Sequence, residues 1–314
     1  MLLPASWLFG AVTLLRRLAY RLHLLASERT GVPLIVVGNL SVGGSGKTPL
    51  VLWIAEYLKK NGYRPGIVSR GHGARVEAPR EVTIASEPDE VGDEPMLLAR
   101  RSGCPVWVAP QRAAAARALR SAHPDCNVLV SDDGLQHYAL ARDLEIAVVD
   151  ARGFGNGLLL PAGPLREPRS RLRSVDAVVA HDTSAVPGYA MRLAGERFVQ
   201  MLDARNVVGP EALRGKAVHA VAGIGDPERF FRQIERLGLT LVRHPFADHH
   251  AFQAGDLQFG DAAPVVMTEK DAVKCKRFAR PEFWIFPVSA ELDPAFGRWL
   301  LERLALIHGG PATA

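Results

Sequence analysis

The chain is poor in cysteine, with only Cys104, Cys126 and Cys275, and no two of these lie close together. This spacing excludes a disulfide scaffold and any zinc-ligand pattern, and it fits buried thiols in a reducing compartment. Low-complexity tracts and internal repeats are also lacking. With 48% apolar and 23% charged residues, disorder is excluded. The excess of positive charge is small, +5 over 314 residues, and gives no argument for a nucleic-acid partner. No protein partner is expected either.

Long apolar runs are missing too. Residues 1–30 are rich in leucine, but the uncharged stretch ends at Arg16, short of the roughly 20 apolar residues that span a bilayer. A signal peptide is not expected, because no positive charge precedes the apolar run and no small-residue cleavage site follows it. On a helical wheel, Trp7, Leu8, Val12, Leu14, Leu15, Leu18, Leu22 and Leu25 share one side. Ser6, Thr13, Arg16, Arg17, Tyr20, Arg21, His23 and Ser27 share the other. Pattern alone leaves two alternatives: an interfacial helix on anionic lipid, or a helix packed on the core.

What the chain does have is length for two domains and, from Val32 onward, apolar runs alternating with helical stretches. That rhythm predicts an α/β fold, a parallel sheet with helices on both faces plus a second, smaller α/β domain. Strands are expected near 33–38, 64–69, 105–109, 127–131, 145–149 and 175–180, with helices at 47–61, 90–102, 111–122 and 168–173. A second series follows: strands at 216–222, 239–244, 264–268 and 282–288, and helices at 226–237, 254–260 and 293–307. The expected division is an N-terminal helix at 1–30, a nucleotide-binding domain at 31–205 and a smaller domain at 206–314. Residues 183–212 have weak periodicity and read as a connection.

The run "VVGNLSVGGSGKT" breaks a buried strand into glycines and ends on Lys47 and Thr48 at a helix start. Converging amides there make an anion nest. The phosphate-loop pattern, Gly, four residues, then Gly-Lys-Ser/Thr, is met except that Ser41 occupies the first glycine position. The expected phosphate-binding residues are Ser41, Val42, Gly43, Gly44, Ser45, Gly46, Lys47 and Thr48. In such loops the lysine reaches the terminal phosphates and the threonine hydroxyl helps hold Mg2+, so an acid should end another strand. "NVLVSDDG" provides Asp132 and Asp133 at the carboxyl end of a strand, although Asp-Asp-Gly is also a good turn sequence. Thr48, Asp132 and Asp133 are therefore the candidate Mg2+ ligands.

Thr268-Glu269-Lys270-Asp271 is not a guanine-specificity motif, and Val42 stands where partitioning ATPases carry a lysine. An NTP hydrolase, or a kinase with a small or lipid acceptor, remains.

Seven segments, "VGNLSVGGSGKTP", "SRGHG", "VGDEP", "SDDGLQH", "PAGPLREP", "FADHHAF" and "TEKDAVK", follow one another in an order that resembles the tetraacyldisaccharide 4'-kinase family from about residue 4 to 305. The resemblance implies ATP and Mg2+. It implies transfer of the γ-phosphoryl group to the 4'-hydroxyl of a tetraacyl glucosamine disaccharide 1-phosphate in lipid A biosynthesis. It also implies two α/β domains with the active site between them, and peripheral attachment to an anionic membrane surface, the cytoplasmic face of the inner membrane.

By the same resemblance Asp93 is the general base, where the residues alone leave a helix cap open. His249 is the favoured partner from the His249-His250 pair. Two adjacent histidines suit a metal poorly, since their side chains diverge and no third ligand is near. Arg166 offers a flat pair of donors for a phosphate, with Lys47 beside it as the other cationic group of the reaction. Acceptor contacts are expected from Arg70, Glu94, Arg112, Gln136 and Glu167. His72 departs from the family, where a tyrosine is usual. Lys270 and Asp271 end a strand, with nucleotide base, lipid head group or each other as partner. Two other readings are a membrane-associated P-loop ATPase acting as a binding switch and a lipid-surface scaffold without nucleotide.

Overall fold

A computed structural model describes residues 2–308. In chain order the elements are α1 (Leu3–Arg21), β1 (Leu34–Gly38), α2 (Lys47–Lys60), β2 (Pro65–Ser69), β3 (Arg80–Glu81), α3 (Pro88–Val91), α4 (Asp93–Ser102), β4 (Val106–Val108) and α5 (Arg112–Ala122). Then come β5 (Val128–Ser131), β6 (Leu144–Asp150), β7 (Ala177–His181), β8 (Tyr189–Ala194), β9 (Phe198–Gln200), β10 (Val207–Val208), β11 (Ala217–Ala222) and α6 (Pro227–Arg236). The chain finishes with β12 (Thr240–Pro245), β13 (Val265–Thr268), α7 (Glu269–Cys275), β14 (Phe283–Phe286), β15 (Ser289–Leu292) and α8 (Pro294–His308).

The larger sheet runs β15-β8-β7-β6-β1-β5-β2-β4-β3 and is parallel from β8 to β4. Its central strand β1 is buried along its whole length, because helices cover both faces; this is why it reads as a continuous apolar run and not as an alternation. Tyr57 and Phe296 pack with Trp53 on one face, through α2 and α8. The alanine-rich side of α5 covers the other. The smaller sheet runs β10-β9-β14-β13-β11-β12, with α6 packing Phe230, Phe231 and Ile234 against it.

The two sheets are joined twice. The chain leaves the larger sheet after β8 and returns to it at β15, so the smaller unit is an insertion and not a C-terminal domain. The expected boundary at 205/206 therefore falls inside the smaller unit. The returning α8 packs Phe296, Leu300 and Leu304 into the larger core. The two passages lie side by side: a Cβ on Gly195 would sit 2.7 Å from Pro287 O and from the Phe286 ring.

The expected helix at 90–102 is split at Gly92, whose φ of 93° is open to glycine and strained for other residues. A Cβ there would come within 2.9 Å of His72 O, so the chain must pass close under the "SRGHG" loop. The break makes Asp93 the first residue of a new helix. The short helices expected at 168–173 and 254–260 are 3-10 turns, at Arg169–Ser174 and Ala254–Leu257. The segment expected to be a mere connection, 183–212, contains β8, β9 and β10.

α1 keeps its apolar side in the open, with Trp7 70%, Leu8 67% and Leu15 65% exposed. It rests on the larger unit through its small and polar side: Ser6 Oγ donates to Leu159 O at 2.7 Å and Arg17 to Ser174 Oγ at 2.7 Å. The core-packed alternative is thus not adopted. Among the described residues no helix is long and apolar enough to cross a membrane.

Candidate active site

The phosphate loop connects the end of β1 to α2, at the point where the neighbours of β1 run out on opposite sides, β5 and β6. Open parallel sheets bind ligands at such switch points. Val42 donates its amide to Pro164 O at 2.9 Å, and Ser41 bridges Leu165. The Val42 amide is thereby already engaged within the protein, which leaves it no proton for a phosphate. Gly43 and Gly46 have φ of 94° and 91°, which turns the loop tightly before Lys47 opens α2. His181, at the end of β7, donates Nδ1–H to Ser45 O at 2.8 Å, and Arg152 donates to Gly44 O at 2.8 Å. These two props were missed in the sequence; both follow carboxyl ends of parallel strands, a signal available there.

Lys47 Nζ lies 3.2 Å from Asn39 Oδ1 and 3.6 Å from Asp133. Asp133, held at φ 48°, accepts from Arg166 Nη1 with both oxygens at 2.8 and 3.0 Å. Burial alone would raise its pKa, but Lys47 and Arg166 overcome that and hold it at about 2. Asp132 differs. It is 1% exposed, and burial together with the Glu94 and Asp133 carboxylates pushes it up to about 7. Its Oδ1 meets no hydrogen-bond donor among the described residues. A buried acceptor of this kind is costly unless a cation or donor meets it, so the acidic turn fits a divalent metal.

Arg112 is buried and donates to Asp132 O at 3.2 Å and Asp133 O at 2.7 Å. Glu167 is 1% exposed, accepts from Tyr138 Oη and from Gln136 Nε2 at 3.3 Å, and faces Arg171. Both were expected to touch the acceptor; instead their polar atoms are used inside the protein, where they shape the acidic turn and the "PLREP" loop. Gln136 also donates to Asn39 O at 3.1 Å. Arg70 stands exposed just past β2.

Asp93 and His249 come together across 156 positions of sequence, with Nδ1 3.1 Å from Oδ2. Asp93 is 5% exposed at the start of α4, where the helix end favours a carboxylate. Burial would raise its pKa, yet the His249 hydrogen bond and the Lys270 and Lys274 ammoniums, each 3.9 Å away, bring it below the ordinary value. The hydrogen bond to Asp93 raises that of His249 in turn. His249 is held at φ 60°, with His72 edge-on to its ring at 5.2 Å. The other histidine of the pair, His250, faces Asp256 instead at 3.0 Å.

Two cavities flank the start of α4, with Asp93 lining one and Glu94 the other. One of about 150 Å³ lies between Gly44–Thr48 and apolar residues of the smaller unit, Ile224, Phe230, Phe286 and Val288, with Glu94 and Lys270 in its wall. A Cβ on Gly225 would sit 2.7 Å from Gly44 N, so the smaller unit reaches right over the loop. The other, about 530 Å³, opens on Asp93 and His249 from the far side.

A phosphate loop, an acidic turn beside it and an Asp–His pair at the start of the neighbouring helix α4 define a P-loop phosphotransferase of two α/β units. The family model for tetraacyldisaccharide-1-P 4'-kinase matches residues 1–305. Tetraacyldisaccharide 4'-kinase of Methylobacillus flagellatus is 52% identical over 303 residues, covering 96% of this chain and 90% of the relative. That of an Azoarcus species is 52% identical over 318 residues, covering 99% and 93%. The crystal structure of LpxK from Aquifex aeolicus, titled an "apo" form in complex with ATP, superposes with a TM-score of 0.80 at 27% identity over 96% of this chain and 98% of that one. The chain belongs to the tetraacyldisaccharide-1-P 4'-kinase family.

Proposed function

We propose that this protein transfers the γ-phosphoryl group of ATP to the 4'-hydroxyl of tetraacyldisaccharide 1-phosphate, a step of lipid A biosynthesis. The observation that carries this is the Asp93–His249 contact at 3.1 Å, next to Lys270, 3.9 Å from Asp93, which lines the cavity walled by the phosphate loop, in a member of this kinase family. Amides from Gly43 onward and Lys47 take the β- and γ-phosphates. Thr48 and Asp132 are the residues suited to hold Mg2+, which when bound neutralises phosphate charge. Asp133 is engaged with Arg166 and Lys47, which makes it a support for both cations.

Asp93 takes the proton of the 4'-hydroxyl, the sugar oxygen bonds to the γ-phosphorus, and the bond from that phosphorus to the β–γ bridging oxygen breaks. ADP leaves with the electron pair. His249 orients Asp93 through Nδ1–H. Arg70, Glu94 and Gln136 are the proposed acceptor contacts. The open apolar side of α1, with Arg16 and Arg21 at its edge, suits a shallow seat on anionic lipid, so that only the disaccharide enters the cleft. The proposed location is peripheral, on the cytoplasmic face of the inner membrane.

The test is direct. Purified protein is incubated with γ-labelled ATP, Mg2+ and the disaccharide 1-phosphate lipid. Label is expected in the lipid; label only in free phosphate would support an ATPase switch instead.

A further inference from the structure

Lys270 belongs to the "TEKD" stretch and has no part in the scheme above. Its root is firmly placed. Thr268 Oγ1 caps α7 by accepting from Asp271 N at 3.1 Å, and Asp271 Oδ2 accepts from Thr268 Oγ1 at 2.7 Å and from Gly223 N at 2.9 Å. The side chain, 14% exposed, then extends from the smaller unit into the cleft.

An ammonium has three N–H bonds and no acceptor. Three acceptors surround this one: Glu94 Oε1 at 3.0 Å, Asp248 Oδ1 at 3.2 Å and His249 Nε2 at 3.3 Å. Asp93 Oδ2 lies just beyond at 3.9 Å. Glu94 and Asp93 come from α4 of the larger unit; Asp248 and His249 come from the loop after β12 of the smaller. Lys274, one turn further along α7, also stands 3.9 Å from Asp93 but is shared with Asp271 at 2.9 Å.

The contact to His249 has a chemical consequence. A lysine can only donate, so in the neutral ring Nε2 accepts and the proton is left on Nδ1, the nitrogen that faces Asp93. The two carboxylates of α4 would also repel Asp248 without a cation among them. We propose that Lys270 is the positioning residue of the proton transfer: its ammonium gathers Asp93 and Glu94 onto Asp248 and His249 when the two units meet, and fixes the His249 tautomer that orients Asp93. This rests on the reading of Asp93 as the base.

The experiment compares Lys270→Met and Lys270→Arg with the unaltered protein, measuring kcat and the KM for ATP from about pH 5 to pH 9. The groups facing the altered position are Asp93, Glu94, Asp248, His249 and Lys274, with His72 behind the ring. Loss of the ammonium favours protonated Asp93, so Lys270→Met should lose about 100-fold in kcat, keep its KM for ATP within about threefold, and show its low-pH limb displaced to higher pH. Lys270→Arg keeps the charge and should return that limb to its original place. A kcat within about threefold of the unaltered protein overturns the proposal, as does a loss confined to the KM for ATP with an unmoved limb, which would make Lys270 a nucleotide contact. Asp93→Asn separates the two readings: if it remains active, the base assignment falls and this proposal with it. An inactive Asp93→Asn beside an unmoved Lys270→Met limb overturns the proposal alone.

Discussion

Arg166 grips both carboxylate oxygens of Asp133, at 2.8 and 3.0 Å, while the residue before it, Asp132, keeps an oxygen that no described donor reaches. Adjacent carboxylates thus have opposite chemistry, one tied down by cations and one waiting for a cation. With Asp132 pushed up to about 7, its carboxyl would have to give up a proton near neutral pH to hold the proposed Mg2+. Mg2+ affinity, measured by calorimetry with ADP present, should fall as pH drops from about 8 to about 6, with proton release at the lower pH. Asp132→Asn should remove most of the binding and its pH dependence, whereas Asp133→Asn should leave a weakened site.

Lys47→Ala should cost about 10³-fold in kcat, because phosphoryl transfer depends on charge neutralisation more than on covalent help from the protein. Among the described residues the polar partners of the Lys47 ammonium are Asn39 and Asp133, and Lys47 belongs to no apolar core cluster, so its removal should leave the thermal midpoint within a few degrees. Steady-state kinetics together with a melting curve would check both parts. Equal losses in activity and folding would contradict them.

Gly46→Ala should destabilise the protein. Its φ of 91° is costly for alanine, about 1–2 kcal/mol, and the new methyl would meet His181 Nδ1 at 2.6 Å. His181 would have to give up Ser45 O, loosening the loop. A calorimetric midpoint lower by several degrees is expected, with a raised KM for ATP.

The Asp93–His249 pair predicts how stability varies with pH. Asp93 has a folded pKa below the ordinary 3.8 of an aspartate, so its contribution is present above that pH and is lost as pH falls through the folded value. His249 is raised above 6.5, so its contribution is complete below that pH and is lost as pH rises through the folded value. Denaturant unfolding at about pH 6 and about pH 9 should show a decline between them that His249→Gln lacks. An unchanged decline in that variant would refute the pairing.

Replacing Trp7, Leu8 and Leu15 together by serine should cut binding to anionic vesicles by about 100-fold or more, since each side chain seated in lipid contributes roughly 1.5–3 kcal/mol. The fold should survive, as these side chains are 65% exposed or more. Vesicle co-sedimentation beside circular dichroism would decide.

The buried strands were legible because a parallel sheet covered on both faces needs uninterrupted apolar runs, as at Leu34–Gly38 and at 146–149 within β6. β8 and β15 were not, because they alternate buried and exposed positions and find each other across about a hundred residues, with Leu292 opposite Met191. Of the site, the phosphate loop and the acidic turn could be read from glycine, lysine and aspartate at strand ends. Asp93 and His249 could be joined only by resemblance, since nothing local in either segment specifies the other. Arg112 and Glu167 misled for the opposite reason: a charged residue near a strand end serves a ligand or holds a turn equally well, and only its burial tells which.

The side-by-side passages at Gly195 and Pro287 have a mechanical meaning. A single tether would let the inserted lobe swivel freely, but two connecting segments in contact would act like the paired knuckles of a door, leaving one easy axis of swing. Gly225 would then meet Gly44 in the same register on every closure, and Lys270 would arrive with it.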